Sequence, residues 1–209
     1  MKILAIGAHF DDIELGCGGT LLKHQERGDE IYLLVVTHSE YSSTIKGYTR
    51  KKDIARAEGE KSASLLGAHL ICLNEAPLVL FPTEKLATRI EDVVNEIKPD
   101  RVYTHQSNDS HSDHAAVGYA SIRACRKCDE VLCYRSNWYI MDNITENDNY
   151  YVDISDFINK KITLLNTFES EMEMINSWLD FVKSQNRASG AKVGVDYTET
   201  FKLIKMFWR

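Results

Sequence analysis

Short apolar runs alternate with helical patterns along most of the chain, and that alternation restricts the fold more than any other feature. The β-rich runs are KILAIGA (2–8), EIYLLVVTHS (30–39), AHLICLN (68–74), RVYTHQ (101–106), EVLCYRS (130–136) and YYVDI (150–154). Helical patterns lie between them. The first runs from about Asp12 to Arg27, with Gly28 as a stop, and the second, KKDIARAEGEKSASLLG, ends at Gly67. The third has Pro82 near its start and Pro99 just past its end, and the fourth follows HSDHAAVGYASIRACRK. One long helical stretch covers 154–186. Near-continuous apolar strands separated by helices belong to a mainly parallel sheet covered on both faces. The expected fold is a Rossmann-like, doubly wound α/β sheet in three α/β/α layers. A chain of 209 residues, 44% hydrophobic, suits one domain over 1–209. The C-terminal helices and tail, about 155–209, are expected to pack on that domain. In a sheet ordered 3-2-1-4-5, the crevice between the carboxyl ends of strands one and four is the ligand position. Residues 39–52 are polar and aromatic without a period, and read as a loop on that side.

Charge and cysteine usage narrow the partners. The net charge is −6 with scattered lysines and arginines, which argues against nucleic acid or an anionic membrane as the main partner. No stretch approaches the ~18 apolar residues of a membrane span. The start, MKILAIGA, imitates a signal peptide but leads straight into HFDD, so a buried first strand is the better reading. A cytoplasmic protein is expected. Its five cysteines, an odd number, read as reduced thiols. Cys125 and Cys128 form C-R-K-C, but a zinc ribbon needs a second pair and only Cys133 follows.

Strand one ends in GAHFDDIELGCGGT (7–20). A dinucleotide fingerprint would place bare glycines here to receive a pyrophosphate. The template laid on Gly7 instead puts His9 and Asp12 at glycine positions, and Asp11 and Asp12 put negative charge where the anion would sit. The geometry suits a nucleotide loop and the electrostatics suit a cation. Either aspartate alone would serve as a helix cap; a histidine and two aspartates together exceed that need. A second cluster, HQSNDSHSDH (105–114), follows strand four and opens a helix. It holds three histidines with Asp109 and Asp113. The topology brings both clusters to one crevice, where imidazole plus carboxylate suits a catalytic Zn²⁺, with Fe²⁺ or Co²⁺ as alternatives.

These residues carry a resemblance. AHFDDIELGCGGT resembles the A-H-P-D-D-x-E-x-G-x-G-G-T signature of the LmbE-like, or PIG-L, family of zinc-dependent N-deacetylases. NDSHSDH resembles its second motif, and GAKVGVDYTETFKLI (190–204) resembles its G-x-x-x-G-x-x-Y-x-E-x-F tail. The resemblance implies hydrolysis of an N-acetyl group from an amino sugar in a glycoconjugate, sugar nucleotide or sugar-linked metabolite. It implies His9, Asp12 and His114 as metal ligands and Asp11 as general base. It makes His111 a cationic partner of the tetrahedral intermediate, held by Asp113, and gives Tyr197 a part in binding the oxyanion. The roles are chemically coherent: Asp11 adjoins a ligand without being one, so it can take a proton from an activated water.

Further residues are candidate substrate contacts. Glu14 would touch substrate hydroxyls or brace the loop. Arg56 sits near a substrate-binding arginine of the family, with a solvated helix face as the other reading, and Arg187 would meet a phosphate or carboxylate. His38, at the end of strand two, departs from the family pattern and would line the pocket or fill space. Phe10 and Ser112 stand where the family commonly has proline. Rival readings are an esterase or other amidohydrolase on the same metal site, and a non-catalytic metal-containing binding domain. The resemblance also makes a homo-oligomer an expectation.

Overall fold

The computed structural model describes residues 1–43, 48–136 and 148–208. The strands are β1 (Lys2–Gly7), β2 (Glu30–Thr37), β3 (Tyr41–Ser43), β4 (Tyr48–Arg50), β5 (His69–Glu75), β6 (Arg101–His105), β7 (Glu130–Tyr134), β8 (Tyr150–Asp153) and β9 (Thr198–Met206). The helices are α1 (Asp12–Glu26), α2 (Lys52–Leu65), α3 (Glu84–Ile97), α4 (Ser112–Ala124), α5 (Ile158–Leu165) and α6 (Met172–Val193). The main sheet runs β5-β2-β1-β6-β7-β9-β8. Its first five strands are parallel, in the order that the alternation of runs implies; β9 pairs antiparallel with both β7 and β8, so β8 runs in the same direction as the first five.

β1 shows why its run is apolar throughout. Ile3 and Ala5 face one core cluster, with Leu21 of α1 and Leu164 of α5. Leu4 and Ile6 face the other, with Ile90 of α3 and Val117 of α4. All four strand residues are fully buried, so alternate residues supply opposite layers.

Three elements differ from the sequence expectation. The tail contains a nine-residue strand, β9, inserted between β7 and β8. The stretch 154–186 is not one helix: α5 stops at Leu165, where Thr167 Oγ1 donates to the Leu164 carbonyl at 2.7 Å, and a 3₁₀ turn at Glu169–Glu171 leads into α6. The supposed loop 39–52 contains the β3–β4 hairpin and the start of α2; residues 44–47 lie outside the described residues.

Helix α1 is broken at Cys17 (φ −143°, ψ 17°). The adjacent Gly16 permits a close approach to β7, because a Cβ there would lie 2.0 Å from the Tyr134 ring. Two buried charges complete the break. Lys161 Nζ donates to the Leu15 carbonyl at 2.8 Å and to Glu199 at 2.7 Å. Glu199 accepts the Gly19 and Thr20 amides at 2.9 and 2.7 Å. The N-terminal half of α1, which carries Asp12, is thereby fixed to α5 and β9.

Candidate metal centre and substrate cavity

The two sequence clusters meet at the carboxyl ends of β1 and β6. His9 lies just past β1, and its Nδ1 is 3.3 Å from His114 Nε2 and 3.4 Å from Asp12 Oδ2. His114, in the first turn of α4, places Nε2 3.1 Å from Asp12 Oδ1. Ligands about 2.0–2.1 Å from a tetrahedral Zn²⁺ are spaced by roughly 3.3 Å from one another. Donor types and spacing therefore fit a divalent ion.

Each member of the triad is oriented from behind. His9 Nε2 is 2.9 Å from Asp113 Oδ2, and His114 Nδ1 is 3.5 Å from Asp109 Oδ2. A carboxylate behind a ligating imidazole fixes its tautomer and raises its basicity. Asp12 Oδ2 accepts the His9 amide at 2.7 Å and lies 3.1 Å from His105 Nε2. Burial opposes charge on all three side chains, but Asp12 and its histidines offset it. The imidazoles of His9 and His114 are pushed up to about 9 and about 10, and Asp12 is held well below the usual carboxylate range.

Asp11 occupies the N-cap position of α1 without a side-chain capping bond, and its φ of 118° is a conformation that L-residues occupy only under constraint. Burial and the neighbouring Asp12 raise its pKa well above the ordinary value, while Arg50 acts in the opposite direction. Arg50, fully buried, bonds Glu58 at 2.9 Å, Glu171 at 3.1 Å and the Phe10 carbonyl at 3.4 Å.

The expected partnership of His111 and Asp113 is corrected. The Asp113 carboxylate faces His9 and the backbone amides of Leu78 (2.6 Å) and Leu80 (3.2 Å). His111 Nδ1 instead accepts the Asp113 amide at 3.2 Å, so a neutral ring carries its proton on Nε2. Burial and the charges of His114 and His9 lower the His111 pKa to about 4. With Nδ1 taken by the Asp113 amide, Nε2 is the nitrogen left to donate into the cavity.

A cavity of about 260 Å³ opens over this centre. Asp11, Asp12, His9, His111 and His114 line it, with Ser39, Glu40, Tyr41 and Arg50 from the β2–α2 region. Among the described residues, Leu15, Pro77, Leu78, Ser136, Glu171 and Trp178 also line it. The other candidate contacts lie elsewhere. Glu14 is buried beneath α2, accepts the Ser62 hydroxyl at 2.5 Å and is pushed up by burial to about 7; it braces α1 against α2. His38 and Arg56 line a separate cleft of about 170 Å³ with Phe10, Lys52 and Cys72, and Arg56 pairs with Glu60. Arg187 is exposed, pairs with Asp196 and lies 5.5 Å over the Tyr197 ring. Tyr197 is held at the start of β9 by Ser155 Oγ and by the Ile154 amide, and does not line the cavity. Phe10 packs on α2 where Gly59 leaves room: a Cβ there would lie 2.3 Å from the ring. Cys125 and Cys128 are buried core thiols.

Sequence reasoning did not select His105, Arg50, Tyr41, Glu171 or Trp178. His105 had a legible signal as the first histidine of the second cluster, at the end of a strand.

Fold and site together define a Rossmann-like α/β protein with a His/Asp donor centre at its switch-point crevice. The chain belongs to the PIG-L family: the family profile described as GlcNAc-PI de-N-acetylase matches residues 4–125. It is 37% identical over 145 residues to the Escherichia coli K12 protein named uncharacterized deacetylase YaiS, covering 65% of this chain and 75% of that one. It is 27% identical to a diacetylchitobiose deacetylase of Thermococcus kodakarensis, over 97% of this chain and 83% of the relative. Its fold matches the N,N'-diacetylchitobiose deacetylase of Pyrococcus horikoshii with a TM-score of 0.83 at 24% identity, over 97% and 83% of the two chains. No helix among the described residues is long and apolar enough to cross a membrane.

Proposed function

We propose that the protein is a metal-dependent hydrolase that removes the N-acetyl group from an N-acetylated amino sugar. One observation carries the reading: His9 Nδ1, the Asp12 carboxylate and His114 Nε2 lie within 3.1–3.4 Å of one another beside Asp11. Membership of the PIG-L family and the relatives named as deacetylases support it. His9, Asp12 and His114 would hold Zn²⁺, or Fe²⁺ or Co²⁺, all of which accept nitrogen and oxygen donors. A divalent ion there supplies Lewis acidity, polarising an amide carbonyl and acidifying water.

The chain's own residues do the rest. Asp11 is a base kept out of the ligand set, and burial together with Asp12 raises its proton affinity above that of an ordinary carboxylate. His111 offers its Nε2 proton to oxygen that gains negative charge. Asp113 and Asp109 hold the two ligating rings still. Arg50 holds the Asp11 turn through the Phe10 carbonyl.

Acetate release from N-acetylated sugars by metal-loaded protein tests the reading. Asp11→Asn should lower turnover by roughly 10²–10⁴-fold while the metal content stays the same. Unchanged turnover in that variant, or no stoichiometric metal in the active protein, overturns it. Faster hydrolysis of acetate esters than of any acetamide would favour the esterase reading.

A further inference from the structure

We propose that His105 is a positioning residue of the metal centre, which holds Asp12 by a hydrogen bond from Nε2 once His114 ligates the ion. The inference rests on the metal-dependent reading above and adds a residue to it. His105 ends β6 and is fully buried. Its Nε2 lies 3.1 Å from Asp12 Oδ2, and its Nδ1 lies 3.5 Å from Ser136 Oγ. Ser136 Oγ is also 3.4 Å from His114 Nδ1. His105 is close enough to Asp12 and His114 to share an ion with them, but the ring planes exclude it as a ligand. It stacks on His114 with centroids 4.2 Å apart and planes 13° apart. A nitrogen lone pair lies in the plane of its ring, so those of two stacked rings run side by side and do not meet on one ion.

Ligation then fixes the protons. A His114 that offers Nε2 to a divalent ion keeps its proton on Nδ1. That proton lies between Ser136 Oγ at 3.4 Å and Asp109 Oδ2 at 3.5 Å. The Ser136 hydroxyl, accepting there, has its own proton free for His105 Nδ1. An imidazole that accepts on Nδ1 carries its proton on Nε2, where Asp12 Oδ2 waits. Tyr134 Oη, 3.4 Å from Nε2, gives its proton to the Ile6 carbonyl at 2.8 Å, so it too can only accept from that nitrogen. The Ala8 amide, 3.1 Å away, is the competing donor. One nitrogen serves Ala8 or Asp12, not both, and the bond to an ionised carboxylate is the stronger. Asp12 Oδ2 also accepts the His9 amide at 2.7 Å. With both bonds made, Oδ1, 3.1 Å from His114 Nε2, is the oxygen left for the ion.

Imidazole 15N–1H spectra of the zinc-loaded native chain read the tautomer directly. His105, assigned through its ring contacts to His114 and Tyr134, should carry its proton on Nε2 and none on Nδ1. A proton on Nδ1, or Nε2 bound to zinc, overturns the proposal. Zinc titration supplies the second arm. His105→Leu should bind Zn²⁺ about 10–100-fold more weakly, and His105→Gln, whose amide can still donate to Asp12, should recover most of the loss. Native affinity in the leucine variant, or no recovery with glutamine, also overturns it. Acetate release is read separately. Zinc binding with the expected tautomer but no deacetylation would sink the reaction and keep the role of His105. Deacetylation with the Nδ1 tautomer would do the reverse, and absence of zinc binding would overturn both.

Discussion

Asp113 Oδ2 lies 2.9 Å from His9 Nε2, and the same carboxylate accepts the amides of Leu78 and Leu80. One buried side chain thus orients a metal-ligand candidate and pins the loop that supplies Pro77 and Leu78 to the cavity wall. Asp113→Asn should lower metal affinity by about 10–100-fold, the usual effect of losing a carboxylate behind a ligating imidazole. Metal titration checks this. Hydrogen exchange at the Leu78 and Leu80 amides should rise in the same variant. An unchanged metal affinity would show that Asp113 holds the 78–80 loop without tuning the metal through His9.

The break in α1 yields a stability prediction. Lys161 and Glu199 are each about 1% exposed and pair at 2.7 Å. Removing one partner of a buried pair costs about 3–5 kcal/mol. Glu199→Gln should lower unfolding free energy by that order in a denaturant titration. The double variant Lys161→Met/Glu199→Leu should recover little of it. The Gly19 and Thr20 amides and the Leu15 carbonyl would then be buried without partners, and apolar replacement cannot satisfy them. Full recovery in the double variant would show that the pair's charge, not its bonds to α1, is what matters.

The two motifs were readable because each is contiguous. A strand end followed by a helix start fixes where His9, Asp11, Asp12, His111 and His114 sit, and strand order makes the two motifs meet. Arg50, Glu171 and Trp178 reach the cavity from a hairpin, a 3₁₀ turn and a helix, through tertiary packing that no local period records. The Asp113 contact was misread because its direction is set by two amides more than thirty residues upstream. In the tail, the matched tyrosine drew attention away from Glu199, whose two carboxylate oxygens close the broken helix. β9 itself had a signal in the alternation around Phe201, Lys202 and Leu203.

His24 gives a pH dependence. It is buried against Tyr103, whose hydroxyl lies 3.0 Å from Nε2, with Asp29 at 2.6 Å from Nδ1. Burial lowers its pKa from 6.5, outweighing Asp29. The folded ring therefore stays neutral where the unfolded chain takes up a proton. Its contribution is complete above about pH 6.5 and is lost as pH falls from there towards the lower folded value. Melting temperatures of metal-loaded protein between pH 7.5 and 5.5 should fall more steeply for the native chain than for His24→Gln. Parallel curves would mean that His24 is protonated equally in both states.

Phe10 links packing to the metal centre. Its ring rests where Gly59 of α2 has no side chain, its amide donates to Ser39 Oγ at 2.9 Å, and its carbonyl accepts from Arg50 at 3.4 Å. The residue is flanked by His9 and Asp11, so any shift of its ring moves the peptide that carries both. Gly59→Ala would set a methyl 2.3 Å from Cδ1, an overpacking that costs about 1–3 kcal/mol. The variant should lose stability in a denaturant titration and also bind metal more weakly than the native chain. Gly59→Ala/Phe10→Leu, which vacates the ring position, should recover both properties in part. Stability restored without metal affinity would show that the aromatic ring itself, and not merely a filled gap, holds the His9–Asp11 turn in place.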